Sequence, residues 1–324
     1  MHYRRLGHGP LEISELSFGT WLTVAGGVGH EQAIRCIHAA VDHGITLFDT
    51  ANEYGAGAAE RVLGEALKTF TRDRFMVATK LFFPVGDEPD HGLSAGQIEK
   101  QLHRSLERLG VDCIDLYQCH RFDKETPLEE TLEALDRAVQ SGKVRAIGFS
   151  EWTAEQIDAA AILAGERGWA SFCSSQPQYS MLWRKPEAGV FPACTRHGIG
   201  NVVFSPLAHG VLTGKYAPGQ PPPPGSRAAN EQMNRFMETA GRHFRSDYLL
   251  TAVEQLKPIA ADLGLTMAQM ALAWVLRRPE VASAIIGASR PEQVADNVRA
   301  LDVQLPDEAL HLIDAAVGAV AVWQ

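Results

Sequence analysis

LFDTANEYGAGAAERVLG, residues 47–64, runs from an apolar segment through Asp49 and a short polar loop into a helical pattern. As strand, glycine loop and helix it begins like a phosphate-binding unit. Gly55 and Gly57 suit that reading, but Glu60 stands where a third glycine belongs, and such a fingerprint is weak evidence even when whole. The loop instead concentrates Asp49, Asn52, Glu53 and Tyr54. The segment therefore also reads as a strand end that delivers chemistry, with Gly55 and Gly57 as turn and close-packing residues and Glu60 as a surface or helix-N-terminal charge.

The same unit recurs outward from this stretch. Short, nearly continuous apolar runs occur at 16–19, 47–50, 75–80, 114–120, 144–150, 172–178, 201–207 and 282–287, and helical sequence lies between them. Such runs suit strands buried on both faces of a parallel sheet. Helix starts are marked by capping-box patterns at Ser94…Gln97, Thr126…Glu129, Thr153…Gln156 and Thr266…Gln269, and Gly110 and Gly142 mark stops. Leu102, Leu106 and Leu109, like Leu128, Leu132 and Leu135, form stripes that read as core. Eight strands each followed by helix predict an α/β protein, a (β/α)8 TIM barrel, with residues 1–324 as one domain. HYRRLGHGPLEIS (2–14) reads as an N-terminal β-hairpin plug, and 208–246, with its four consecutive prolines, as a long irregular loop after the seventh strand.

Composition narrows the function. The 324 residues are 45% hydrophobic and 21% charged, enough apolar content for a substantial core, and the net charge of −9 without a basic run argues against nucleic acid or an anionic membrane surface as partner. The five cysteines form no C-x-x-C pair, no apolar segment approaches a membrane span, and the N-terminal residues lack a signal-like core. A reduced, cytoplasmic protein without membrane insertion is expected.

In a barrel the functional groups gather where the strands end. The predicted strands end at Thr20, Asp49, Lys80, His120, Ser150, Gln176, Ser205 and Ser289. Asp and Lys are seldom buried unpaired, so Asp49 with Lys80 is at the least a structural ion pair. With His120 and Tyr54 nearby, the group also suits catalysis. A metal hydrolase would need histidine and carboxylate ligands, yet no H-x-H or H-E-x-x-H occurs; no metal site is expected. A Schiff-base lysine would be opposed by Asp49, which holds Lys80 charged. In the remaining reading Lys80 lowers the pKa of Tyr54, ordinarily about 10, and Tyr54 gives a proton to a carbonyl oxygen while hydride reaches its carbon. Candidate cofactor-binding groups lie at the last two strands: Phe204, Ser205, Pro206 and Leu207, then Lys215 and Arg227, then Gly287, Ser289, Gln293 and Asn297, where barrels of this kind place a phosphate site. Solvated surface charge is the plainer reading of Lys215 and Arg227.

LSFGTW (16–21), FDTANEYG (48–55), ATK (78–80), LERLGVDCIDLYQCHRFD (106–123), GKVRAIGFSEW (142–152), FSPLAHGVLTGKY (204–216) and IIGASRPEQVADN (285–297) together resemble the aldo-keto reductases over essentially the full length. The chain is most similar to the branch of voltage-gated potassium channel beta subunits and their bacterial relatives. The resemblance implies an NADP-dependent oxidoreductase with a catalytic tetrad at Asp49, Tyr54, Lys80 and His120. It implies NADP(H) held by Thr20, Trp21, Asp49, Ser150, Gln176, Phe204, Ser205, Pro206, Leu207, Ala208, Lys215, Arg227, Gly287, Ser289, Gln293 and Asn297. Lys215, Arg227, Ser289 and Gln293 would surround the 2′-phosphate. A small carbonyl substrate would meet Trp21, Tyr54, His120 and Trp152; Phe82, Met181 and Trp183 are further apolar candidates. His209 stands where the channel subunits have a small residue. The branch also implies homo-oligomers, and a slow, redox-sensing regulatory subunit as the alternative to a working reductase.

Overall fold

The computed structural model describes residues 1–21, 24, 27–86, 90–230 and 246–323. Much of the loop expected at 208–246 therefore lies outside the described residues. The antiparallel pair β1 (Tyr3–Arg5) and β2 (Glu12–Ser14) comes first. Eight parallel strands follow: β3 (Leu16–Gly19), β4 (Leu47–Asp49), β5 (Met76–Leu81), β6 (Ile114–Cys119), β7 (Val144–Ser150), β8 (Phe172–Gln176), β9 (Gly200–Val203) and β10 (Val281–Ile286). They close into a barrel, β10 pairing with both β9 and β3.

Strand positions two apart share a face. Leu47, Ala78, Leu116, Ala146, Cys173, Val202, Ala282 and Ile285 cluster with Leu6, Leu11 and Ile13 of the hairpin, so apolar side chains fill the barrel and the hairpin closes its lower end. Gly7 makes that closure possible. It sits at φ 55°, and a Cβ there would lie 2.3 Å from the Gly198 carbonyl. The opposite strand faces carry Phe18, Phe48, Val77, Tyr117, Ile147 and Val203 into a second core shared with the helices.

Those helices are α1 (His30–Asp42), α2 (Ala58–Leu67), α3 (Ala95–Leu109), α4 (Leu128–Gln140), α5 (Ala154–Arg167), α6 (Val190–Arg196), α7 (Asp247–Glu254), α8 (Leu256–Asp262), α9 (Met267–Leu276), α10 (Pro291–Val298) and α11 (Asp307–Val317). Thr153 and Thr266 form full capping boxes with Gln156 and Gln269. Ser94 makes only its half, accepting from Gln97 N. The box expected at Thr126 is absent, because its hydroxyl donates to Asp123 Oδ2 at 2.7 Å and α4 starts beyond Pro127 without a side-chain cap. The sixth and seventh strands are shorter than the apolar runs suggested. β8 stops at Gln176 because Pro177 has no N–H for the ladder, and β9 stops before the Ser205-Pro206 turn. No single described helix is long and apolar enough to cross a membrane.

Candidate active site

The loop after β4 is fastened to the end of β5 by backbone hydrogen bonds, Thr50 N to Ala78 O at 2.8 Å and Asn52 N to Lys80 O at 3.1 Å. Gly55, Ala56 and Gly57, at φ of 57°, 52° and 83°, then reverse the chain into α2. Gly57 packs under Arg108, where a Cβ would meet Cδ at 2.7 Å, and Gly64 packs on the Leu109 backbone. Gly55 and Gly57 are thus turn and packing residues. Glu60 is not a surface charge. It is fully buried and accepts from Thr79 Oγ1 and Arg108 Nε, each at 2.6 Å. The carboxylate that displaced the expected glycine therefore ties α2 to β5 and α3.

Asp49, Lys80 and Gln118 project into the barrel one layer above Leu47, Ala78 and Leu116. Lys80 is fully buried, and its Nζ donates to Asp49 Oδ2 (2.6 Å), Thr50 O (2.8 Å) and Tyr54 OH (3.4 Å). Asp49 Oδ1 accepts from Gln176 Nε2 at 2.8 Å. The Tyr54 ring lies edge-on to His120, with centroids 5.7 Å apart. Burial lowers the Lys80 pKa, and the adjoining Asp49 carboxylate opposes that shift. His120 is held well below the usual histidine range by burial and then by the charges of Lys80 and Arg121, so its ring is neutral.

Tyr54 reverses an expectation. Its pKa is raised well above that of a free phenol, first by burial and then by the carboxylates of Asp49 and Glu53. Lys80, 3.4 Å away, does not bring it down, because burial and these carboxylates outweigh the one ammonium. Tyr54 therefore remains a protonated donor in the resting site.

These groups open on a cavity of about 1340 Å³. On the side of β4 to β6 its wall includes Asp49, Glu53, Tyr54, Phe83, His120 and Arg121, with Trp21 from the loop after β3. Ser150, Gln176, Phe204, Ser205, Pro206 and Leu207 continue the wall, and Lys215, Arg227, Gly287, Ser289, Gln293 and Asn297 extend it at the β9 and β10 side. Four expected residues lie off the wall. Lys80 sits beneath Tyr54, Thr20 is buried with no hydrogen-bond partner for its hydroxyl among the described residues, and Ala208 is buried in the turn after β9. Trp152 is buried, stacked on Phe149 at 4.8 Å and edge-on to Phe122 and Phe172. Phe82, Met181 and Trp183 are not part of the wall either. Glu53, Phe83 and Arg121 were not anticipated. The available signal was adjacency, since Glu53 precedes Tyr54 and Arg121 follows His120.

At the β9 side, Lys215 and Arg227 both face the cavity. Burial lowers both pKa values, and Arg227 further lowers Lys215. No carboxylate acts on either among the described residues. Arg227 Nη1 donates to His209 Nδ1 at 3.1 Å, which holds the guanidinium against the turn. Across from it, Gln293 Oε1 accepts from Ser289 N at 2.8 Å and Ser289 Oγ at 3.2 Å at the start of α10. Two cations without a carboxylate in a long cleft fit a phosphorylated ligand, and the cleft volume fits one of dinucleotide size. No cluster of three His, Cys, Asp or Glu close enough to hold a metal occurs among the described residues.

The fold and site define a (β/α)8-barrel protein with its polar machinery at the carboxyl ends of the strands. The sequence pattern of the aldo/keto reductase family matches residues 15–317, and the chain belongs to that family, which implies oxidoreductase chemistry. It is 39% identical over 306 residues to a probable voltage-gated potassium channel subunit beta of Arabidopsis thaliana, covering 94% of this chain and 92% of the relative. It is 38% identical to the rice protein of the same name, covering 98% and 97%, and 38% identical to a putative one of Schizosaccharomyces pombe, covering 96% and 92%.

Proposed function

We propose that the protein reduces an aldehyde or ketone to an alcohol with NADPH, and that Tyr54 is the general acid. The observation that carries this reading is the cluster of Asp49, Tyr54 and His120 on the wall of a cleft, with Lys80 buried beneath Tyr54, and Lys215 and Arg227 on the far side of the same cleft. Lys215 and Arg227 would hold the 2′-phosphate, and Gln176 and Ser150 would border the nicotinamide. The bound cofactor would supply hydride to the carbonyl carbon.

The rest is the work of this chain. Tyr54 transfers its proton to the carbonyl oxygen, and with the hydride at carbon this proton completes the alcohol. The phenolate that forms lies 3.4 Å from the Lys80 ammonium, which stabilises it; Asp49 keeps Lys80 charged and in place. Neutral His120 donates a hydrogen bond to the same oxygen. Solvent returns a proton to Tyr54 after release. Trp21 and Phe83 supply apolar surface for the substrate.

The test is NADPH consumption with a reactive aromatic aldehyde. Tyr54→Phe is expected to lose about 10²–10⁴-fold in kcat while NADPH binding persists. Unchanged turnover would remove Tyr54 from the mechanism. The names of the relatives support a second reading, a cofactor-binding regulatory subunit of a partner protein. That reading requires tight NADPH binding with very slow turnover on every carbonyl tried.

A further inference from the structure

We propose that Glu53 is a positioning residue for His120: its carboxyl donates to His120 Nδ1 and so keeps the proton of the neutral ring on Nε2, the nitrogen left to the cavity. The inference rests on the carbonyl-reductase reading for its purpose, but its geometry stands independently. His120 Nδ1 is buried and makes no hydrogen bond among the described residues. Glu53 Oε1 lies 3.9 Å from it, about 1 Å beyond hydrogen-bond distance. The Glu53 side chain is 28% exposed on the cavity wall and can close that gap by rotating, whereas the His120 ring is wedged between Tyr54 and Phe83.

Charge decides which partner carries the proton. Lys80 on β5 and Arg121 beside His120 face the pair with positive charge, and Asp49 on β4 spends its carboxylate on Lys80. Tyr54, in the same loop, is a neutral phenol. Both cations oppose a third positive charge on the imidazole. Burial raises the Glu53 pKa and outweighs the opposing pull of Lys80 and Arg121. Below its raised pKa, Glu53 presents a neutral carboxyl to a neutral ring; one good hydrogen bond is then available, O–H to Nδ1, and that bond fixes the Nε2–H tautomer. The ionised carboxylate would instead accept from Nδ1–H and leave Nε2 without a proton to offer a carbonyl oxygen. The folded pKa of Glu53 is raised, so the productive form is present below it and is lost as pH rises through it.

Nitrogen-15 NMR of the imidazole, assigned with a His120→Gln variant, reads the tautomer directly. In the unaltered protein the Nε2–H form is expected at the acidic side and converts towards Nδ1–H as pH rises. Glu53→Leu should lose both the preference and the pH response, and lower kcat about tenfold with little change in KM. Glu53→Gln, whose amide can donate at every pH, should restore the Nε2–H form, recover most of the lost kcat and abolish the pH-dependent limb. An unchanged tautomer in Glu53→Leu, or a pH response that survives in Glu53→Gln, overturns the proposal. A protein that reduces no carbonyl refutes the reductase reading, while the NMR result still decides the role of Glu53.

Discussion

Replacing Arg227 by alanine separates the charge reading of the β9 side from a merely structural one. One guanidinium N–H is engaged by His209 Nδ1 at 3.1 Å, leaving about four for an anion. No carboxylate competes among the described residues. A hydrogen bond to a charged group contributes about 1.5–3 kcal/mol, which is roughly 10–150-fold in affinity. Lys215 remains beside the site, so the lower end applies and NADPH should weaken about tenfold. NADH has no 2′-phosphate and should change by less than about twofold on the same scale. The two cations repel one another, so removing either relieves the other, and the Lys215→Ala/Arg227→Ala double variant should lose more than the two single losses combined. The assay is fluorescence titration with each coenzyme at fixed ionic strength, repeated at higher salt, where the advantage of NADPH should shrink. Equal weakening of NADPH and NADH by Arg227→Ala would refute the assignment of this arginine to the extra phosphate.

Lys80→Met leaves the Asp49 carboxylate buried with only amide partners, and the loss should be about 3–5 kcal/mol by urea unfolding, partly recovered in Asp49→Leu/Lys80→Met; a cost under about 1 kcal/mol would contradict a charged pair there. Gly64→Ala places a methyl 2.3 Å from the Leu109 carbonyl, so α2 and α3 must separate at about 1–3 kcal/mol, whereas helix propensity alone would make the change stabilising by about 1 kcal/mol; thermal unfolding distinguishes the signs. Difference absorbance between the protein and Tyr54→Phe should show no Tyr54 phenolate up to about pH 10, because that phenol is raised above its free value. Phenolate appearing near neutrality would reinstate a lysine-tuned acid.

The barrel was legible because its signal is local and repeated. Leu116, Gln118 and His120, or Ala146, Gly148 and Ser150, step along one strand face from apolar interior to polar rim, and the same period leads from Leu47 to Asp49 and from Ala78 to Lys80. Strand-end reading therefore brought Asp49, Lys80, His120, Ser150 and Gln176 together before any coordinates. What failed was non-local. Glu60 meets Thr79, 19 residues on, and Arg108, 48 residues on, and nothing in the α2 sequence announces either. Trp152 follows the end of β7, but it stacks on Phe149 of that strand, and Phe122 and Phe172 converge on it from two other places and draw it into the core. Side-chain type and position predict that a residue can reach a site; the packing of distant segments decides whether it does.

The same limit explains the Tyr54 error, and correcting it gives a more consistent site. From sequence, the nearest cation seemed to set the phenol's acidity. In the fold, burial and then the Asp49 carboxylate outweigh Lys80 and add to the cost of a negative oxygen. The phenol is then a weak acid, and Lys80 at 3.4 Å is the cation that partly offsets the cost of its phenolate when the proton leaves. On the proposed chemistry, two neighbouring acid–base pairs divide the labour by charge state. Asp49 and Lys80 stay ionised because each satisfies the other inside the barrel. Glu53 and His120 stay neutral at the cavity wall, where Lys80 and Arg121 penalise a protonated ring. Exchanging those states would leave Tyr54 with no cation for its phenolate and His120 with no proton for the carbonyl, so the division itself is what the Glu53 and Lys80 variants probe.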